Sequence, residues 1–66
     1  MEITVNGEAR RVPEDLTIAG LLEVMNLTGK RLAVEINLEI VPRTSYATCP
    51  LQSGDRVEIV HAIGGG

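Results

Sequence analysis

Neither phenylalanine nor tryptophan occurs in this chain, and Tyr46 is its only aromatic residue. Val, Ile and Leu must therefore supply nearly all of any core. No aromatic platform exists on which nucleic-acid bases could stack. Six Lys and Arg stand against nine Asp and Glu, a net charge of −3, with the signs interspersed and no basic patch. That combination argues against a nucleic-acid partner. Cys49 is alone, so there is no internal disulfide and no ligand set for an iron–sulfur cluster. A lone cysteine suits a reducing compartment. No apolar run approaches the ~20 residues needed to span a membrane. The stretch from Met1 to Val5 lacks the basic and long apolar regions of a signal peptide. The expectation is a soluble, cytoplasmic protein with no membrane association and no metal site.

Sixty-six residues make one domain, which buries only ~60% of the surface its unfolded chain exposes. A ligand pocket large enough for enzyme chemistry is hard to carve from so small a core. Size favours a carrier, a binding module or a subunit.

Met1, Ile3 and Val5 alternate with Glu2, Thr4 and Asn6, the period-2 pattern of a half-buried strand. Asn6-Gly7 follows, a pair that tolerates the positive φ a type I′ hairpin turn requires. The return strand is expected from about Glu8 to Val12, ended by Pro13. Thr17 offers a hydroxyl to cap a helix. Ile18, Leu21, Leu22 and Met25 then form one apolar helical face. Gly20 weakens that helix unless it allows close approach to the sheet, and Gly29 is expected to end the helical region. Leu32, Val34 and Ile36 alternate with Ala33, Glu35 and Asn37 in a third strand. Leu38 to Val41 predicts a short strand stopped by Pro42, and Arg43 to Gln52 a loop with a helical turn. Ser53-Gly54-Asp55 is turn chemistry. In the last strand, Arg56 to Ala62, Val57 and Ile59 share one face while Glu58, Val60 and Ala62 share the other. The order ββαβ(β)β predicts an α+β domain, with a mixed four- to five-stranded sheet and one main helix on one face. The domain is expected over residues 1–62, followed by a Gly-rich tail over 63–66.

That tail, ending Gly64-Gly65-Gly66, has no side chains to pack and loses more backbone entropy on ordering than any other sequence. It is either a frayed end or a reactive one. In the second reading the carboxylate of Gly66 is the reacting group. It is a poor electrophile until ATP converts it to an acyl-adenylate. Only a chain without Cβ atoms threads a narrow channel to reach that ATP. Sulfur then replaces the leaving group, giving a thiocarboxylate. Val60 and Ala62, apolar on the nominally wet face beside the tail, suit either a docking patch or scattered exposed residues. Cys49 reads as a small, partly buried hydrophobe, with no adjacent cation to lower its pKa. His61 has no ligand set around it and reads as a surface residue. The charged residues Glu35, Glu39, Glu58, Arg43 and Arg56 read as a solvated or partner-facing surface.

Over its whole length the sequence resembles the ThiS family, sulfur carriers of bacterial thiamin biosynthesis. The match is carried by Asn6-Gly7, Ala33-Val34-Glu35-Ile36-Asn37, Ile40-Val41-Pro42-Arg43, the run Gly54 to Val60, and the terminal glycines. The resemblance implies a ubiquitin-like β-grasp. It implies that a ThiF-like enzyme adenylates Gly66 with ATP, the chain itself binding no cofactor. A sulfur relay fed by a cysteine desulfurase then makes the thiocarboxylate, and thiazole synthase (ThiG) takes the sulfur for the thiazole ring. The chain would be a protein co-substrate rather than an enzyme, and a monomer when free. The family usually ends in two glycines, matched by Gly65 and Gly66, so Gly64 reads as added slack. Gly64, Gly65, Val60, Ala62 and Arg43 are the expected partner contacts. The rivals are the small subunit of a molybdopterin synthase, a protein modifier ligated to lysines, and a plain β-grasp interaction module.

Overall fold

Two short turns with left-handed backbone set the layout of the sheet. A computed structural model describes residues 1–61 of the chain. The first strand, β1 (Glu2–Val5), returns as β2 (Glu8–Arg11), with Val5 opposite Glu8. Asn6 (φ 50°) and Gly7 (φ 86°) form the turn between them, as the Asn-Gly pair predicts. After the helix α1 (Ile18–Val24) come β3 (Leu32–Ile36), β4 (Glu39–Val41), a 3₁₀ turn over Arg43–Ser45 and finally β5 (Arg56–His61). The five strands form one mixed sheet in the order β2-β1-β5-β3-β4. The first and last strands are parallel neighbours, and the other pairings are antiparallel.

The second turn departs from expectation. Leu38 is not the first residue of β4: with Asn37 it forms a two-residue turn closing the pair Ile36–Glu39. Both residues have positive φ, 51° for Asn37 and 73° for Leu38. A γ-branched residue in that region carries strain that Gly would not. Asn37 offsets it by tying the turn to β5. Its Oδ1 accepts from the Arg56 N–H at 3.0 Å, and its Nδ2 donates to Asp55 Oδ1 at 3.2 Å.

Asn6 does the same for the first hairpin. Its Oδ1 accepts from the Ile59 N–H at 2.8 Å, and its Nδ2 donates to the Ile59 carbonyl at 3.3 Å, between residues 53 apart in the chain. The side chain continues the β1–β5 ladder where the backbone turns away. Replacing Asn6 with Ala leaves the part-buried Ile59 amide without a partner and places a Cβ residue without local polar support at positive φ. The expected cost is about 2–3 kcal/mol, read as a lower urea midpoint at unchanged m-value. Asn6→Asp keeps the acceptor and should cost less. Equal midpoints for wild type and Asn6→Ala would contradict this role.

Helix α1 has only seven residues, too few to persist by propensity. Its first amides are satisfied from outside. The Thr17 hydroxyl accepts from the Gly20 N–H at 3.0 Å. The Ile18 and Ala19 N–H groups donate to the carbonyls of Cys49 (3.1 Å) and Tyr46 (2.9 Å). The loop that showed no period in the sequence is therefore the helix's N-terminal cap. It also contributes Tyr46 and Leu51 to the core. The left-handed residue just past the helix is Asn26 (φ 61°), and Gly29 (φ 82°) serves the turn that follows. Gly20 does not approach the sheet: a Cβ there would lie 2.7 Å from Leu16 Cδ1. The apolar face read from the sequence is buried, with Ile18, Leu21 and Leu22 against Ile3, Val34 and Val57 of the sheet. Cys49 is half-buried and packs against this core.

Candidate functional site

Direct cross-strand partners share a face of a sheet, so the registers assign every side chain of β3, β4 and β5. Val34, Ile59 and Val41 face the helix, as do Ile36 and Val57. On the outer face Ala33 lies beside Val60, and Glu35 stands between Glu58 and Ile40. Val60 is 58% exposed and Ile40 72%. Val60 is an exposed apolar residue on the wet face, two positions before the end of the expected domain. Ile40 joins it, a residue that the sequence placed in a short strand without assigning it to a face. The alternation that places it outward is legible only once β4 is known to start at Glu39. Glu35 and Glu58, directly opposite one another and half-buried, bring two like charges together at the centre of this face.

His61, the last described residue, is exposed and pairs with Leu32 across the β5–β3 ladder. The expected contacts Ala62, Gly64, Gly65 and the reacting Gly66 lie outside the described residues. The position of His61 nonetheless fixes the end of the sheet from which the chain continues. Arg43 opens the 3₁₀ turn after β4, so it is brought to the same region as Leu32.

On the helix side of that end lies an open cavity of about 450 Å³. Size alone argued against a cavity on this scale. It is lined by α1, the loop that follows it, the start of β3 and the 3₁₀ turn. Leu22, Leu32 and Tyr46 form its floor, and Lys30, Arg31 and Arg43 its cationic rim. Lys30 and Arg31 were not singled out in the sequence. Their adjacency is a weak signal until the fold adds Arg43.

A single helix laid across a five-stranded sheet, with the first and last strands parallel at its centre, is the ubiquitin-like β-grasp. The model of the ThiS family matches residues 3–66. A crystal structure of a thiamine biosynthesis protein (ThiS) from Geobacter metallireducens superposes with a TM-score of 0.88 at 32% identity, covering all of both chains. The sulfur carrier protein ThiS of Escherichia coli is 33% identical over the full length of both chains. A thiazole synthase of Paramagnetospirillum magneticum is 44% identical over all 66 residues, which span only 20% of that protein. A second thiazole synthase, from Magnetococcus marinus, is likewise matched over 20% of its length. The chain belongs to the ThiS family.

Proposed function

We propose that this chain is a sulfur carrier in thiamin biosynthesis, acting through the carboxylate of Gly66. The observation that carries the reading is the family match, which runs through the terminal glycines. It is supported by full-length similarity to a sulfur carrier. The carboxylate attacks the α-phosphorus of ATP on a ThiF-like adenylating enzyme, and pyrophosphate leaves. The terminal sulfur of a persulfide on a relay fed by a cysteine desulfurase then attacks the acyl carbon and expels AMP, leaving an acyl disulfide. A thiol reductant cleaves its S–S bond, and the two thiol sulfurs leave as a disulfide. The resulting thiocarboxylate is an anionic sulfur nucleophile, and thiazole synthase consumes it. The likeness to part of two thiazole synthases supports that last partner. In this scheme the chain is a co-substrate, ATP belongs to the partner, and the reaction is cytoplasmic. The glycines serve by lacking Cβ atoms, which lets the tail enter a narrow channel.

The test is pyrophosphate release by the adenylating enzyme in the presence of ATP and this chain. Release that depends on the chain supports the reading. No release above background, with an enzyme active on another carrier, would overturn it.

The outer sheet face is the proposed docking surface for that enzyme, with Val60 as its apolar contact. Val60 is exposed, so Val60→Asp should leave the unfolding midpoint within ~0.5 kcal/mol of wild type. A charge buried at an interface without a partner is costly, so the KM for the chain in pyrophosphate release should rise about tenfold or more. An unchanged KM would remove Val60 from the interface.

A further inference from the structure

The charge of this molecule is sharply divided. Lys30, Arg31 and Arg43 are half of its six cations, and all three line the one cavity beside the end of β5. Glu23 is the only acid in that lining, so the lining carries +2. The whole chain carries −3, which leaves −5 on the remainder. None of the three cations has an ion-pair partner among the described residues, where the one pair joins the N-terminal ammonium to Glu14 at 3.6 Å. Three like charges gathered against a single acid, with no ion pair among the described residues, repel one another, and folding alone supplies no reason to collect them.

Position supplies one. The cavity includes Leu32, which pairs with His61 at the last described position before the tail. It lies on the helix side of the sheet, whereas Val60 is on the outer face, so it is a second surface rather than part of the first. A positive end on a negative body turns the molecule in the field of an acidic partner, cavity end first. That end is also the one from which the tail departs. The floor of Leu22, Leu32 and Tyr46 beneath the cationic rim fits a segment bearing carboxylates and an aliphatic side chain.

We infer that this cavity is a docking and steering site for an acidic segment of the adenylating enzyme, presenting the chain tail-first to it. This inference rests on the sulfur-carrier reading. Electrostatic steering acts on the encounter rate and is screened over a Debye length of about 8 Å at physiological salt. It should therefore appear in kcat/KM and not in kcat.

The experiment compares two double variants that remove the same charge from different places. Lys30→Gln with Arg31→Gln removes two of the rim's three charges. Arg10→Gln with Arg11→Gln, on the edge strand β2 at the far side of the sheet, changes net charge equally. Circular dichroism checks the fold of both. At low ionic strength the rim variant should lose about tenfold in kcat/KM for pyrophosphate release at unchanged kcat. The β2 variant should lose at most a small fraction of that. The gap should close as salt approaches about 0.5 M, where screening removes steering. Arg43→Gln alone should give a smaller loss with the same salt dependence.

Equal losses in the two double variants would overturn the inference, as would a loss in kcat or a loss that salt leaves unchanged. Equal losses combined with inorganic phosphate shifting the amide resonances of residues 28–32 would make the cavity a small-anion site instead. If wild type supports no pyrophosphate release at any concentration, the carrier reading fails and this inference fails with it. If wild type is active and the rim variant matches the β2 variant, only the docking site is wrong.

Discussion

Deleting Gly66 should abolish thiocarboxylate formation while leaving the fold untouched. The deletion leaves every core residue among the described residues in place. Its thermal midpoint should match wild type within about 1 °C, since a glycine has no side chain to bury. The new terminal carboxylate, on Gly65, sits one residue short. An extended residue spans about 3.3–3.6 Å, and a misplacement of even 1 Å at a reacting centre costs on the order of a hundredfold in rate. A shift of three times that length should bring activation below detection. Adding one glycine after Gly66 tests the same register in the other direction and should also fail, because the tail must then buckle to seat its carboxylate. Normal activation of the shortened chain would mean that the partner measures the tail loosely or not at all.

The second large effect is on stability. Leu21 is fully buried at the centre of α1, where it meets the sheet. Leu21→Ala should cost about 2–5 kcal/mol from lost transfer energy and the cavity left behind. A 66-residue domain has about 3–10 kcal/mol to lose at the usual stability per residue. With no Phe or Trp in the core to repack into the gap, the variant should be largely unfolded at 37 °C. Chemical denaturation followed by far-UV circular dichroism measures this. Val24, on the same helix but 56% exposed, serves as the control, and Val24→Ala should stay within ~0.5 kcal/mol. Similar losses for both would mean that the helix contributes by its mere presence rather than by the face it buries.

Much of this architecture is readable from local pattern. Asn6-Gly7 predicts the first hairpin because both residues tolerate the left-handed backbone that the turn demands. The spacing of Ile18, Leu21 and Leu22 predicts the buried helical face, and Thr17 its cap. Alternation in β5 separates Val57 and Ile59, which are buried, from Val60, which is not.

What escaped the pattern depends on contacts distant in the chain. Leu38 is an unfavourable residue for its turn, so nothing local marks the turn at Asn37-Leu38. The position is held by Asn37 bonding to Asp55 and Arg56. Tyr46 and Leu51 belong to the core, yet no period announces them, because their segment winds over the start of α1 instead of forming an element of its own. The cationic rim follows the same logic: Lys30 and Arg31 are adjacent in sequence, but Arg43 reaches them only through the β3–β4 hairpin. The exposure of Val60 was legible, and the cavity on the opposite face of the sheet was not, because a cavity depends on how several elements are placed together.

The central claim is that Gly66 carries sulfur, and the most direct measurement is accurate mass spectrometry of the C-terminal peptide. The chain would first be incubated with ATP, an adenylating enzyme and a sulfur source. Fragmentation must place the change on Gly66, since oxidation of Met1 or Met25 adds a similar mass. The account predicts one oxygen replaced by sulfur at Gly66, dependent on ATP. A C-terminal peptide that stays fully oxygenated, beside partners shown to be active on another carrier, would contradict it.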